Sequence, residues 1–419
     1  MANYDPRTQK LLTFHDAVPR FLDGRDTPRA YLERCLDVIE TREPEVQAFV
    51  VMNIDGARAA ADEATKRYAE GRPLSNIDGM PIGIKDLFET RDMPTQMGSP
   101  VWAGWESGRD AAHVHGLRKA GAVVLGKLVT TELGFSFPNK TRNPFDTGRT
   151  PGGSSSGSAA AIGAGMLPAA IGSQVVGSVI RPAGYCGNVA IKPTFGALNR
   201  GGGHSSLSQS HIGVHAGSIE DAWATCWQIA NLAGGDVGHP GLYGDREPMA
   251  ATAPQRLIRL ETAGWADTDG ASKAAFETVL DHLARKGVTV IGRADDDAVE
   301  TGGRARVEQH RMRLHLGDEH RLRPARRDRR EVLALDRAGG SMAAQVDVFV
   351  LTVTESLCMF DKQCRSVMER PENRERKARI LAALQALDRM MADIRGNLCD
   401  LGDVELSLPA GPDRERREP

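Results

Sequence analysis

Cysteine is sparse in this 419-residue sequence, and the six present (Cys35, Cys186, Cys226, Cys358, Cys364 and Cys399) include no C-x-x-C pair. That excludes a disulfide framework and leaves ordinary thiols of a reducing compartment. A long apolar run is missing as well. The most apolar stretch, Ala159 to Gly172, is short and interrupted by glycine and Pro168, so it cannot span a bilayer. The N-terminus shows no basic-then-apolar stretch, hence no signal peptide, and a cytoplasmic location is expected. There is no charge imbalance: the formal net charge is -2, which gives no case for nucleic acid or a membrane as partner. No internal repeat is visible.

What is present is an ordinary globular composition, 41% hydrophobic, long enough for a large core and roughly two or three domains. Residues 28–70 read as helices. Thr27-Pro28 supplies an N-cap followed by proline at the first helical position, and Tyr31, Leu32, Cys35, Leu36 and Ile39 share one apolar face. A second, alanine-rich helix runs from Ala57 to Ala69 and closes at Gly71 and Pro73. Pro81-Ile-Gly-Ile-Lys85 reads as a short strand ending in a lysine. A helix from His113 to Ala120 and a buried strand from Ala122 to Leu125 follow. Residues 143–158 are loop chemistry throughout, and the small residues 159–166 suit tight helix packing. Ala169 to Val176 reads as a strand, Ser218 to Leu232 as a helix, and Leu257–Glu261, Ser272–Lys286 and Val288–Ile291 as a β-α-β unit. The expectation is an α/β fold: a mixed β-sheet covered by helices on both faces. Three parts are expected: a helical 1–70, a core over 71–300, and an atypical 301–419.

Three motifs imitate known chemistry. Gly121-Ala-Val-Val-Leu-Gly126-Lys127 matches a phosphate-binding loop until Leu128 stands where a metal-binding Ser or Thr belongs, and its apolar interior suits a strand. Gly153-Ser-Ser155-Ser-Gly157 fits the elbow of α/β-hydrolases, but Arg149-Thr-Pro-Gly cannot form the strand that the elbow requires. His113-x-His115 has no ligand-spaced Cys or carboxylate beside it and reads as a solvated helix face; no metal site is expected.

Three other pieces gain meaning together. Lys85 ends an apolar strand, where lost solvation lowers an amine's pKa and allows it to act as a base. Gly152-Gly-Ser-Ser155 alone reads as a linker. Gly177-Ser178 closes an apolar strand and leaves backbone N–H groups free to face a substrate oxygen. In this order the arrangement resembles the amidase signature family: Gly79-Met-Pro-Ile-Gly-Ile-Lys85, the Gly-Gly-Ser-Ser loop, and the Gly-Ser strand end. The family's offset of 24 positions between loop serine and nucleophile selects Ser154, since 178 − 154 = 24. Asn143-Pro144, Arg149-Thr-Pro-Gly, Pro182-Ala, Cys186-Gly187 and Lys192-Pro-Thr-Phe-Gly196 agree, and the likeness covers about residues 25–290.

The resemblance implies a Ser178–Ser154–Lys85 triad with Ser154 in a cis peptide, Ser155 assisting, and no histidine, metal or cofactor. The N–H groups of Val175, Val176, Gly177 and Ser178 would form the oxyanion hole. The implied reaction is hydrolysis of a small-molecule carboxamide to carboxylate and ammonia or amine through a Ser178 acyl-enzyme. Two alternatives stay open: a glutaminase-type subunit of a tRNA-dependent amidotransferase, and an inactive chain with an incomplete pocket. A homodimer is compatible with the sequence.

Departures from the family are local and regional. Gln174-Val-Val-Gly-Ser178 replaces Asp-x-Gly-Gly-Ser, so the N–H donors survive only with negative φ at Val176. The arginine also falls one position late, at Arg181. Beyond residue 303 an apolar-poor stretch with ten arginines over 304–330 stands where core is expected, followed by an amphipathic pattern from Ile380 to Leu398 and a charged tail. A change of reading frame near residue 300 would explain this, and translating the coding DNA in the other two frames tests it. Trp102, Trp105 and the Ser-rich loop 201–210 are candidates to shape a pocket, or ordinary core aromatics and surface loop.

Overall fold

A computed structural model describes residues 10–292 apart from 136, 204–209, 240, 249, 251–252, 260–264 and 266–267. All of these belong to the first of the two units into which the chain divides, Met1–Val307. The expected arginine-rich stretch, the pattern from Ile380 to Leu398 and the tail lie outside the described residues.

A short α1 (Val18–Leu22) leads to α2 (Pro28–Val46), whose N-cap Thr27 accepts from Ala30 N as its sequence anticipates. β1 (Phe49–Met52) then interrupts the stretch read as purely helical. Four apolar residues without alternation give no strand period, so only pairing with a neighbour reveals them. α3 (Ile54–Ala69) starts earlier than expected because Asn53 caps it, accepting from Gly56 N.

Six strands form the main sheet, in the order β1-β3-β2-β4-β6-β5. β2 (Pro81–Lys85) sits at its centre, parallel to β3 (Val123–Leu128) and to β4 (Ala169–Gln174). β1 is antiparallel to β3, and β6 (His211–Ala216) is antiparallel to both β4 and β5 (Val189–Ile191). Alternate strand residues face opposite sides. Ile82, Ile84, Val124 and Ile171 join one apolar cluster with Val114 and Leu117 of α4 (Ala112–Lys119) and Cys226 and Ile229 of α7 (Ile219–Ala233). Val123, Leu125 and Ala170 join the other with Ala57 and Ala61 of α3 and Ala159 to Ile162 of α5 (Ser156–Gly163). This is the mixed sheet with helices on both faces. A separate parallel pair, β7 (Arg256–Ile258) and β8 (Thr289–Ile291), flanks α8 (Gly270–Arg285), the β-α-β unit read from sequence.

Three local readings need correction. Residues 156–158 are not loop but the first turn of α5, buried against the sheet. Their low helix propensity is overridden by packing that only small residues allow. A Cβ on Gly157 would lie 2.3 Å from Ala48 O and 2.5 Å from Val129 N, both backbone. Gly157→Ala is therefore expected to lose about 1–3 kcal/mol in urea denaturation. That glycine of the hydrolase-elbow look-alike is a packing residue. β4 stops at Gln174, two residues short of expectation, leaving Val175 and Val176 exposed. Finally, His113 is buried and not solvated: it faces inward on α4 and packs edge-on against Phe88, with ring centroids 4.3 Å apart. Desolvation pushes its pKa down to about 3, so it is neutral. His115 is exposed.

Candidate active site

Parallel strands place their C-terminal ends on one edge, where open α/β sheets build their sites. β2 and β4 run side by side, so Lys85, at the last position of β2, comes beside Ser173 near the end of β4. Lys85 is fully buried, and its Nζ lies 2.7 Å from Ser154 Oγ, 2.9 Å from Ser173 Oγ and 3.4 Å from Ser173 O. It forms no ion pair among the described residues. Desolvation alone holds its pKa well below the ordinary lysine value, favouring the neutral amine that can accept a proton. Ser173 was missed in the sequence because it sits inside a strand read only for its apolar neighbours.

Ser154 follows a cis peptide, Gly153–Ser154, at the position expected. Its carbonyl accepts from Thr130 Oγ1 at 3.1 Å and from Thr131 N at 3.2 Å. Ser155 clamps the loop to β4: its Oγ donates to Ser173 O and accepts from Ser173 N, each at 3.2 Å. Its N–H donates to Ser178 O at 3.2 Å, which brings the loop serines and Ser178 together through backbone. The Ser178 hydroxyl is half-buried and has no hydrogen bond to Ser154 or to any other described residue. The structure thus forms the Lys85–Ser154 leg and leaves the Ser154–Ser178 leg open. Apo sites often show long catalytic contacts that tighten on substrate.

Val175, Val176, Gly177 and Ser178 form the turn after β4. Positive φ among non-glycine described residues occurs only at Gln47, Met97 and Leu133, so Val176 meets the condition that its side chain imposes. The four N–H groups take no acceptor among the described residues, which is the condition that an oxyanion hole requires. Gln174, where the resemblance leads to an acid, turns its Oε1 to accept from Val179 N at 2.8 Å and Ile180 N at 2.9 Å. A neutral amide thus fixes the turn leading into α6 (Ile180–Tyr185). Arg181 donates from Nη2 to Gly153 O at 2.7 Å, a bond that sequence alone did not suggest.

The other candidates fall away. Lys127 of the phosphate-loop look-alike lies within β3, fully buried, paired to Asp86 at 2.9 Å. Trp102 is buried edge-on against Trp105 and is core; residues 204–209 of the Ser-rich loop lie outside the described residues. Among the described residues no cluster of His, Cys, Asp or Glu could hold a metal, and no helix is long and apolar enough to cross a membrane.

The sequence profile of the Amidase family matches residues 30–294. The chain belongs to the Amidase family. Among its amidase relatives, a glutamyl-tRNA(Gln) amidotransferase subunit of Chloroflexus aggregans is 34% identical over 299 residues, 67% of this chain and 59% of that protein. The AtzE subunit of 1-carboxybiuret hydrolase from Pseudomonas sp. is 36% identical over 267 residues, 61% of this chain and 58% of the relative. The native peptide amidase of Stenotrophomonas maltophilia superposes with a TM-score of 0.56 at 27% identity, covering 67% of this chain and 61% of that one. The chain therefore spans less than two thirds of the length of each of these amidases.

Proposed function

We propose that this amidase-family chain hydrolyses small-molecule carboxamides to carboxylate and ammonia or amine through an acyl-enzyme on Ser178. The observation that carries the proposal is Lys85: a buried amine without an ion pair among the described residues, 2.7 Å from the hydroxyl of Ser154. Neutral Lys85 accepts the Ser154 proton while Ser154 takes the proton of Ser178, whose Oγ attacks the amide carbonyl. The N–H groups of Val175 to Ser178 hold the oxygen as it becomes anionic. Collapse breaks the C–N bond, and the leaving nitrogen takes the proton back through the relay. Water, deprotonated by the same relay, then cleaves the ester and restores Ser178.

A fluorophosphonate probe followed by intact mass tests this. The expected result is one adduct, mapped to Ser178 and absent from Lys85→Ala. No adduct on folded protein would sink the reading and favour an inactive chain. A second reading, as one glutaminase-type component of an amidotransferase, is supported by the names of several relatives. It predicts the same adduct but no hydrolysis of free amides until partner proteins are added.

A further inference from the structure

His215 is a buried ionisable side chain that the relay leaves unused. It sits in β6, sealed from solvent, opposite Ala170 of β4. Ile84, Ile171 and Val214 face the α4 side of the sheet, so the next residue in each strand, Lys85, Gly172 and His215, faces α5. β4 lies between β2 and β6, and Gly172 brings no side chain into the gap. A Cβ built there would lie 2.7 Å from Ser155 Oγ and 3.0 Å from His215 Nε2, so both side chains close directly on its backbone. The network also assigns the tautomer. Asn188 Nδ2 donates to Ala159 O at 3.0 Å, which leaves its Oδ1 to accept from His215 Nδ1 at 3.2 Å. Nδ1 therefore carries the proton and Nε2 the lone pair. Nε2 is buried with no hydrogen-bond partner among the described residues. Burial pushes the His215 pKa down to about 3, so the ring is neutral, and the charged group that bears on it is Lys85.

We propose that His215 is a positioning residue of the relay, its ring held by Asn188 so that the Nε2 lone pair faces the Lys85 side and stabilises the transient ammonium. The inference rests on Lys85 as the base of that relay. Once it takes a proton, Lys85 has three N–H donors, and its contacts at Ser154 Oγ, Ser173 Oγ and Ser173 O are all neutral. The nearby acid, Asp86, is engaged by Lys127. A carboxylate beside Lys85 would keep the amine protonated at rest and end its use as a base. A neutral ring with its negative end turned inward supports the ammonium as it forms and leaves the resting amine neutral.

The titration of Lys85 in the full chain tests this, followed by the NMR resonance of its Cε, which Lys85→Met identifies by removing it. In His215→Phe a ring stays and the lone pair goes, so the midpoint is expected about one pH unit below that of the natural chain. Asn188→Leu lets the ring proton move to Nε2 and is expected to lower the midpoint as well; it decides alone where His215→Phe does not fold. His215→Gln, with an amide oxygen as acceptor, is expected to recover at least half of the difference. The fluorophosphonate labelling rate should follow, its rising limb moving to lower pH in His215→Phe and its plateau falling by up to about 10-fold. A midpoint that stays unchanged in His215→Phe and Asn188→Leu, or that rises, would overturn the inference. A His215→Gln midpoint no different from that of His215→Phe would also overturn it, because packing and not the acceptor would then set the value. The titration needs no turnover, so it decides about His215 even where the fluorophosphonate fails to label Ser178; that second failure would count only against the proposed function.

Discussion

Lys85→Met is expected to lower kcat/KM by about 10⁴-fold or more while the protein stays folded and becomes no less stable. The activity loss follows from the relay: methionine fills the space but offers no lone pair to Ser154, and no other base lies within hydrogen-bond reach of Ser154 Oγ among the described residues. The stability effect has the opposite sign. A lysine in the unfolded chain titrates near about 10.4, whereas burial holds the folded amine well below its ordinary value. Between those two values the unfolded chain binds more protons, so stability rises with pH across that window and is reduced beneath it. Methionine removes this penalty. Thermal melts should therefore show Lys85→Met at or above the natural chain near pH 7, with the gap closing as pH approaches about 10. The natural chain's kcat/KM should climb as pH passes upward through the depressed Lys85 value and then level off. Retention of more than a tenth of the activity by Lys85→Met would remove Lys85 from the relay.

The position of that lysine was legible in the sequence, and the reason is physical. A site built at the ends of parallel strands leaves short motifs with fixed offsets, and Gly79 to Lys85, Gly152 to Ser155 and Gly177-Ser178 are such motifs. Elements with long, regular patterns were equally legible: α2 from its Thr27-Pro28 start, α7 as the helix read from Ser218 to Leu232, and β7-α8-β8. The parts that sequence hid are those defined by partners. β1 shows no alternation and exists because β3 accepts it. β6 carries two histidines among its six residues, so its buried Ile212, Val214 and Ala216 were masked. His113 read as surface because imidazole is usually solvated, yet its place on the inner face of α4 buried it. Ser173 became visible only when β4 was laid beside β2, since its role is a contact with Lys85, and Gln174, noted as a departure, showed its hydrogen bond to the turn after Ser178 only in the fold. Arg181, in the first turn of α6, carried no signal beyond an arginine one place late.

Lys127→Met is expected to destabilise the chain by about 3–5 kcal/mol, because it leaves the Asp86 carboxyl buried without its counter-charge. In the natural chain the pair is sealed from solvent, with Lys127 Nζ also donating to Thr95 Oγ1 at 2.7 Å and Pro94 O at 3.1 Å. Desolvation raises the Asp86 pKa and lowers that of Lys127, and each partner opposes the other's shift. Removing the lysine lets the carboxyl rise further and hold its proton. The folded state then binds a proton that the unfolded chain releases near about 3.9, so stability falls as pH rises from there through the folded value. Urea denaturation should accordingly show a larger loss at pH 8 than at pH 5. Adding Asp86→Asn should recover much of it, since a neutral amide oxygen can still accept from Gln96 N as Asp86 does. The same variant also tests how the site is braced. Asp86 binds the 96–98 segment, Met97 O accepts from Leu133 N, and Thr130 and Thr131 hold the Ser154 carbonyl. If that chain of contacts carries position to Ser154, Lys127→Met slows fluorophosphonate labelling of Ser178 at urea-free conditions where the protein is still folded, and Asp86→Asn restores both rate and stability together. Recovery of stability with no recovery of labelling would show that the pair supports the core alone.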